Sequence, residues 1–248
     1  LYPLKGHIFI DKGVTNGSAY RIKKFKKSGM IIYSFDEEAL MQTDFKIYSE
    51  LNHEVDSIKN IDGIFCWGSQ HNKMLKKIGY ESKQLINTGN PRFDHYKYIN
   101  LKDFSKYKKK YILICSRFCM PRASEMLAFS EDFVKPTKEI YNKFLAIPRL
   151  IRSSNIKNKI LIRPHPSEDI NIWSKETNRL KDIIISNKGP LKNVLKESIL
   201  MIHNRCTTGL EAYIAGVPVI SYEPFELSEP PHPPKELINS FAHYIANS

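Results

Sequence analysis

Short apolar runs alternate with longer amphipathic segments along almost the whole chain. In the first part, the apolar runs predict β-strands over Gly6–Asp11, Gly29–Phe35, Gly63–Trp67 and Lys83–Thr88. The segments between them predict helices over Ser18–Lys27, Asp44–Asn52 and Ser69–Ile78, the last with Ser69 as N-cap and Gly79 as C-cap. After Thr88 the alternation stops, and residues 89–110 combine turn residues, aromatic residues and lysines without a clear period. We interpret this stretch as a crossover between two domains.

The alternation resumes at Tyr111. It predicts strands over Tyr111–Ser116, Lys159–Arg163, Asp182–Ser186, Ile199–His203 and Pro218–Ser221. Between them it predicts helices over Lys135–Ser154, Ile172–Leu180, Pro190–Glu197 and Thr207–Ala215. Apolar strands that alternate with helices are typical of parallel sheets covered by helices. The sequence therefore predicts an α/β fold with two Rossmann-like domains facing one cleft, over residues 1–88 and 111–248, joined by a linker over 89–110.

The composition is that of an ordinary globular protein, with 248 residues of which 42% are hydrophobic and 26% charged. It excludes a disordered tail, a collagen-like chain and a disulfide-stapled miniprotein. Lys and Arg total 38 against 26 Asp and Glu, and the net charge of +12 favours anionic partners such as nucleic acid, an anionic membrane face or phosphorylated substrates. Because the lysines are scattered and no helix-turn-helix pattern or aromatic-basic platform is evident, we do not expect nucleic-acid binding.

The four cysteines, Cys66, Cys115, Cys119 and Cys206, lack a further Cys or His pair at zinc-binding spacing. We therefore expect buried thiols and no metal site. No apolar run approaches the ~20 residues that a membrane span needs. No signal peptide is visible, but the chain opens without Met in sequence that already predicts structure, so we expect a further segment ahead of it.

Candidate chemistry follows the predicted strands, because ligands of open α/β sheets bind at the carboxyl ends of the strands. The first candidate is R-P-H-P-S-E-D at Arg163–Asp169. Two prolines bracket His165 and restrict its backbone, and the residues after it favour a helix N-terminus, which attracts anions. We expect His165, with Arg163 beside it, to bind a phosphate; the alternative is a structural or surface histidine.

The second candidate is H-N-R-C-T-T-G-L-E-A at His203–Ala212, between a strand and a helix. Hydroxyls and backbone N–H groups of Thr207, Thr208 and Gly209 can contact phosphate oxygens, although the spacing is neither the P-loop nor the dinucleotide pattern. Glu211, one turn into the helix, could reach ribose hydroxyls. The alternative is a core helix with Thr207 as its N-cap.

The third candidate is D-E-E-A at Asp36–Ala39, after the second strand. These carboxylates can supply a general base that deprotonates a hydroxyl. Taken alone, the pattern is better explained by acids in the first turn of a helix, where they complement the helix dipole. Together, a base in one domain and phosphate-binding groups in the other suit transfer of a group from a nucleotide to a hydroxyl.

These motifs resemble those of bacterial surface-carbohydrate biosynthesis glycosyltransferases of the GT-B fold. The matching segments are G-x-I-F-I-D-K-G, D-E-E-A-L, C-W-G-x-x-H at 66–71, T-G-N-P-R-F-D at 88–94, R-P-H-P-S-E at 163–168 and H-N-R-C-T-T-G-L-E-A-Y-I-A-G-V-P-V-I at 203–220. The resemblance extends from about Gly6 to Pro224. Its last two motifs are similar to the nucleotide-binding half of Kdo transferases, GT-B sialyltransferases and, more distantly, CDP-glycerol polymerases.

The resemblance implies roles for the second half of the chain. His165 and Pro166 correspond to the HP motif that contacts the phosphate of a CMP-sugar. Thr207 and Thr208 correspond to a hydroxyl pair that binds the same phosphate. No cofactor and no metal are implied besides the nucleotide-sugar donor.

The resemblance also implies roles for the first half. Glu37 and Glu38 correspond to the acids of an acid-acid-Gly motif whose first member is the base, although Ala39 replaces the glycine here. Asn90 and Arg92 match a signature turn that either shapes the hinge or touches the acceptor. The family's N-terminal domain begins with further strands ahead of Gly6, so the resemblance implies a truncated N-terminal domain.

The expected activity is an inverting, metal-independent glycosyl transfer in lipopolysaccharide, capsule or related surface-polysaccharide synthesis. The favoured donor is a CMP-sugar carrying a Kdo-like ulosonic acid, and the acceptor is a hydroxyl of a glycan or glycolipid. We expect a cytoplasmic protein that can lie against the anionic inner face of the membrane. The alternatives are a CDP-glycerol-type glycerophosphotransferase, a nucleotide-sugar epimerase, and a non-catalytic module that binds a nucleotide-sugar or glycan.

Overall fold

The chain forms two compact units, residues 1–95 and 96–248. The computed structural model describes residues 6–11, 14–37, 39, 48–49, 53–94, 96, 108–116, 139–166, 168–204, 206–223 and 241–246. The division between the units falls within the stretch 89–110, where the sequence predicts a crossover. Glu38 and Cys119 lie outside the described residues, as does most of the helix predicted over Asp44–Asn52, of which residues 48–49 are described as helical.

The described strands of the first unit form a parallel sheet in the order β1-β2-β3-β4. The strands are β1 (His7–Asp11), β2 (Ile31–Phe35), β3 (Gly63–Cys66) and β4 (Leu85–Asn87). The helices are α1 (Asn16–Lys27), α2 (Val55–Ile58) and α3 (Ser69–Ile78). The strand predicted from Lys83 begins later, because Ser82–Gln84 forms a 3₁₀ turn closed by a capping box between Glu81 and Gln84. The N-cap of α3 is Gly68, so the prediction of Ser69 at that position is wrong.

One face of this sheet packs against the three helices. Ile32 and Ile64 point to that face and form a core with Ile22 of α1, Ile58 of α2 and Leu75 of α3. Alternate residues of a strand point to opposite faces, so the residues between them belong to the other face. There the rings of Tyr33 and Phe65 stack, as do those of Phe35 and Trp67.

The second unit contains a parallel sheet in the order β10-β9-β8-β5-β6-β7. Its strands are β5 (Tyr111–Cys115), β6 (Lys159–Arg163), β7 (Ile183–Ile185), β8 (Ser198–His203), β9 (Val219–Tyr222) and β10 (Tyr244–Ala246). Helical residues 139–145 precede α4 (Ile147–Ser153), α5 (Ile170–Thr177), α6 (Leu191–Glu197) and α7 (Thr207–Ile214). The long helix predicted over Lys135–Ser154 is interrupted at Ala146, and Pro148 lies in the first turn of α4. Strand β10 lies outside the sequence predictions.

Both faces of the second sheet are buried, which explains its near-continuous apolar strands. Ile112 and Ile114 of β5 pack on one side with Phe144 and Trp173. Leu113 and Cys115 of the same strand pack on the other side, in a cluster with Leu195 of α6 and Ala212 of α7. The predicted α/β class with two parallel sheets is confirmed.

The strand order places a topological switch between β5 and β8. The chain leaves β5 for β6 and β7 on one side and returns to β8, β9 and β10 on the other. Such a switch separates the loops that follow the two central strands and opens a crevice for ligands at their carboxyl ends. No helix within the described ranges is both long and apolar enough to cross a lipid bilayer.

Candidate functional site

Three loops of the second unit begin side by side at the carboxyl edge of its sheet. Cys115 of β5 is in register with Arg163 of β6 and with His203 of β8. Adjacent strands are about 4.8 Å apart, so the loops after β6 and β8 begin about 10 Å apart, with the end of β5 between them. The structure therefore gathers the two predicted phosphate-binding motifs at the switch point.

Helix α7 begins at this edge. Its N-cap is Cys206, whose side chain makes no capping hydrogen bond, so the suggestion that Thr207 is the N-cap is wrong. Thr207 is instead the first helical residue, and both Thr207 and Thr208 are partly exposed. The Thr208 hydroxyl donates to Sγ of Cys206 at 2.9 Å. The N–H groups of a first helical turn attract anions, which agrees with the predicted phosphate contact without testing it.

Gly209 lies directly against the imidazole of His203. A Cβ at Gly209 would be 2.4 Å from both Cε1 and Nε2 of that ring, so the glycine lets α7 approach β8 closely. His203 is fully buried, and its Nδ1 accepts a hydrogen bond from the Cys206 N–H at 3.4 Å. Burial lowers the pKa of His203 to about 4, so the ring is neutral at pH 7. The glycine thus has a packing reason, and its phosphate contact stays a prediction.

Glu211 is buried inside the second unit, with 5% of its surface exposed. Its Oε2 accepts a hydrogen bond from the Tyr96 hydroxyl at 2.6 Å. Tyr96 itself packs in the core cluster on this side of the sheet. The carboxylate therefore has an intramolecular partner, and the ribose contact predicted for Glu211 stays a prediction.

The loop after β6 is tied to its neighbours on both sides. Arg163 donates from Nη1 to the carbonyl of Lys188 at 3.1 Å and from Nη2 to that of Gly189 at 2.8 Å. These bonds hold the segment after β7 against the end of β6. His165 is partly exposed and Pro166 is exposed, while Asp169 caps α5 by accepting a hydrogen bond from the Asn171 N–H at 2.9 Å.

Glu168 is a further residue of this loop, and the sequence placed it only among the residues that favour a helix N-terminus. Its carboxylate accepts hydrogen bonds from Ser116 after β5, from Trp173 of α5 and from the N–H of His165. The N-cap of α5 is Asp169, so Glu168 is not the acid of a capping box, and no local sequence signal identifies its bond to His165.

In the first unit, Asp36 anchors the turn that carries the predicted base. Only 1% of its surface is exposed, and its Oδ2 accepts a hydrogen bond from the Tyr48 hydroxyl at 2.5 Å. Its backbone carbonyl accepts a second one from Nε1 of Trp67 at 2.6 Å. Glu37, the next residue, is only partly buried. Glu37 is therefore more accessible to a substrate than Asp36.

Five buried polar side chains form a cluster behind this turn: Asp36, Tyr48, His53, His71 and Tyr80. Nε2 of His71 lies 2.8 Å from the Tyr48 hydroxyl, and Nδ1 of His71 accepts a hydrogen bond from the backbone N–H after β3 at 3.2 Å. His71 therefore carries its proton on Nε2 and donates to Tyr48, which in turn donates to Asp36. Neither Tyr48 nor His53 was singled out from the sequence.

His53 completes this Asp36 cluster. Its Nδ1 lies 3.0 Å from the Tyr80 hydroxyl, and its Nε2 lies 3.9 Å from Oδ2 of Asp36 without a hydrogen-bond partner among the described residues. Burial lowers the pKa of His71 to about 4, and burial together with His71 lowers that of His53 to about 3. Burial and the Asp36 carboxylate raise the pKa values of both tyrosines. The histidines and tyrosines are therefore neutral at pH 7.

Asn90 and Arg92 lie in the turn after β4. Asn90 is buried and caps the 3₁₀ turn Pro91–Phe93, with its Oδ1 accepting a hydrogen bond from the Arg92 N–H at 2.9 Å. Its Nδ2 has no hydrogen-bond partner within the described ranges, and Arg92 is exposed. Their predicted role as hinge or acceptor contact stays a prediction. Among the residues that the structure describes, no three His, Cys, Asp or Glu side chains come together as a metal site would require.

The LIC12162 family transferase model matches residues 43–228, about three quarters of the chain. No curated protein matches this chain in sequence. Among solved structures, S. aureus MnaA with UDP aligns over 94% of this chain and 65% of its own, at a TM-score of 0.59 and 16% identity. The Neisseria meningitidis UDP-GlcNAc 2-epimerase bound to UDP-GlcNAc aligns over 94% and 66%, with a TM-score of 0.59 and 16% identity.

A Listeria monocytogenes protein assigned as a UDP-N-acetylglucosamine 2-epimerase aligns over 88% of this chain and 56% of its own, at a TM-score of 0.58 and 15% identity. At such identities the similarity concerns the fold, and it confirms the predicted GT-B-like architecture. The chain spans less than two thirds of the length of each of these three structures.

Proposed function

The chain belongs to the LIC12162 family of transferases, and we propose that it transfers a glycosyl group from a nucleotide-sugar to a hydroxyl of a glycan or glycolipid. The process it would serve is the synthesis of a bacterial surface polysaccharide. The observation that carries this proposal is the register of β6, β5 and β8, which starts the His165 loop and the loop into α7 at the same edge of one sheet. These two loops begin about 10 Å apart, and the groups they carry, a helix N-terminus and an imidazole, are groups that bind the phosphate of a nucleotide.

Binding of the donor is the first part of the proposed reaction. His165, the hydroxyls of Thr207 and Thr208, and the N–H groups of α7 would hold the donor phosphate and stabilise its charge as it leaves. The sequence motifs favour a CMP-sugar with a Kdo-like ulosonic acid. The similar structures of S. aureus MnaA and of the Neisseria meningitidis epimerase contain UDP and UDP-GlcNAc, which makes a UDP-sugar the competing donor.

Activation of the acceptor is the second part of the proposed reaction. Glu37 would remove the proton of the acceptor hydroxyl, with Glu38 as the other candidate base. The oxygen then bonds to the anomeric carbon, the bond from that carbon to the phosphate oxygen breaks, and the configuration inverts. Asp36 takes no part as a base, because its carboxylate is buried and bonded to Tyr48.

Nucleotide binding tests the donor half. CMP, CDP, UDP and GDP are titrated by calorimetry into the wild type, His165→Ala and the control His243→Ala. His243 is an exposed histidine that precedes β10, at the opposite edge of the same parallel sheet. A hydrogen bond to a charged group contributes about 1.5–3 kcal/mol, so His165→Ala should weaken binding about 10- to 150-fold. Equal affinities of His165→Ala and the wild type would contradict the phosphate role.

Turnover tests the reaction class. Release of free nucleotide only when an acceptor glycan is present indicates glycosyl transfer, and conversion of a UDP-sugar without acceptor indicates an epimerase. A product with a glycerophosphate linkage from CDP-glycerol indicates the related phosphotransferase. Glu37→Gln should lower turnover by about 10²–10⁴-fold and leave donor affinity unchanged. A protein that binds donor but gives no product with any acceptor, and is unaffected by Glu37→Gln, would be a binding module.

A further inference from the structure

We propose that Glu168 is a positioning residue that holds His165 in place at the carboxyl edge of the second sheet. This assignment rests on the proposed role of His165 at the donor phosphate. Oε2 of Glu168 accepts hydrogen bonds from the Ser116 hydroxyl at 2.8 Å and from Nε1 of Trp173 at 3.1 Å. Its Oε1 accepts one from the N–H of His165 at 3.3 Å. One carboxylate thus joins the loop to the end of β5 and to α5.

The link between His165 and Glu168 is reciprocal. While the carboxylate accepts from the His165 N–H, the Glu168 N–H donates to the His165 carbonyl at 2.9 Å. These two bonds close the turn and hold the backbone of His165 from both sides. Pro164 and Pro166 restrict the same backbone further, since the proline ring locks φ near −65°. The position of the imidazole therefore follows the position of Glu168.

The two side chains that anchor the carboxylate are buried. Ser116 is 2% exposed and follows β5 at the topological switch, and Trp173 is fully buried against Phe144. Trp173 cannot move without disturbing the core cluster around β5 and α5. Glu168 consequently fixes the loop that carries His165 to Ser116 after β5 and to Trp173 of α5.

The chemistry of the site requires a carboxylate. Three groups donate hydrogen bonds to Glu168, and a carboxylate offers acceptors only. In Glu168→Gln the amide NH₂ must face either the His165 N–H or the Trp173 Nε1–H, and neither of these can accept. The substitution keeps the shape of the side chain and breaks at least one of the three bonds.

Binding measurements test whether Glu168 acts through His165. Glu168→Gln should weaken nucleotide binding by about tenfold and by no more than His165→Ala does, because it acts only by displacing the His165 side chain. In the His165→Ala background the same change should cost less than about twofold, since the group it positions is gone. The control is Glu176→Gln, the same substitution in α5 of the same unit, where the carboxylate forms an exposed ion pair with Arg149. A full, additive loss in the His165→Ala background would overturn the proposal.

A readout without nucleotide separates this proposal from the function itself. The ring resonances of His165, followed by NMR in the free protein, should shift or split in Glu168→Gln and stay unchanged in Glu176→Gln. Unchanged His165 resonances in folded Glu168→Gln would refute the positioning role, whatever the protein binds. Shifted resonances in a protein that binds no nucleotide would keep the positioning role and refute the proposed function.

A second variant covers the case in which Glu168→Gln does not fold. Trp173→Phe removes the Nε1–H donor and keeps an aromatic ring at a site that a ligand cannot reach. It should shift the His165 resonances in the same direction by a smaller amount. No shift in this variant would also count against the proposal.

Discussion

The hydroxyl of Tyr48 offers the sharpest test of the buried cluster behind the predicted base. It donates to Oδ2 of Asp36 at 2.5 Å and accepts from Nε2 of His71 at 2.8 Å. The side chain is 0% exposed, so water cannot replace the oxygen. Tyr48→Phe removes this one atom and keeps the ring that packs against His53. It leaves the Asp36 carboxylate with one donor fewer and the His71 Nε2–H without its partner.

The expected cost follows from these two losses. A hydrogen bond to a charged group contributes about 1.5–3 kcal/mol, and an unsatisfied buried donor costs about 1–3 kcal/mol. We therefore expect Tyr48→Phe to lower the free energy of unfolding of the first unit by about 3 kcal/mol or more. Tyr80→Phe is the matched control, because Tyr80 is also buried but its hydroxyl lies against the neutral imidazole of His53. Its loss should be about 1 kcal/mol.

The assay uses the two tryptophans of the chain, one in each unit. In a Trp173→Phe background, the fluorescence of Trp67 follows the unfolding of the first unit in urea, and linear extrapolation gives its free energy of unfolding. A loss below about 1 kcal/mol for Tyr48→Phe, or one no larger than that for Tyr80→Phe, would refute the argument. It would mean that the hydroxyl is not bonded to a charged group in the folded state.

Two further predictions concern buried histidines. Gly209→Ala should destabilise the second unit by about 1–3 kcal/mol, because its Cβ would meet the His203 ring at 2.4 Å. In the control Gly68→Ala the new Cβ meets no atom within 4 Å. Equal losses of melting temperature in the two variants would contradict this prediction. The folded-state pKa values of about 3 for His53 and about 4 for His71 and His203 lie below ~6.5 in the unfolded chain. Their contribution to stability is therefore complete above pH ~6.5. It is lost as the pH falls toward about 4 for His71 and His203 and toward about 3 for His53. Each histidine should lower the free energy of unfolding by about 1.4 kcal/mol between pH 7.5 and 5.5. Urea midpoints that do not change over this range would show that the histidines are not buried as neutral groups.

The structure separates what local pattern can predict from what it cannot. The alternation of apolar runs and amphipathic segments was enough to predict both parallel sheets. A strand that is buried on both faces must be apolar along its length, as Ile112 to Cys115 are. Strand ends such as Arg163 were equally predictable, since the apolar run stops where the sheet stops. Strand β10 was missed, because Tyr244–Ala246 is a three-residue edge strand with little pattern of its own.

The candidate site divides in the same way. The sequence alone was enough to predict which loops follow the strands, and therefore that His165 and Thr207 belong to the carboxyl edge of one sheet. The strand order that brings these loops to a single switch point could not be predicted, because adjacency of parallel strands depends on long-range pairing that no local pattern encodes. Only the tertiary structure shows that Asp36 is an anchor and that Glu168 accepts three hydrogen bonds. The partners of both carboxylates include residues far along the chain, and a carboxylate in a sequence looks the same whether it faces water or buried donors.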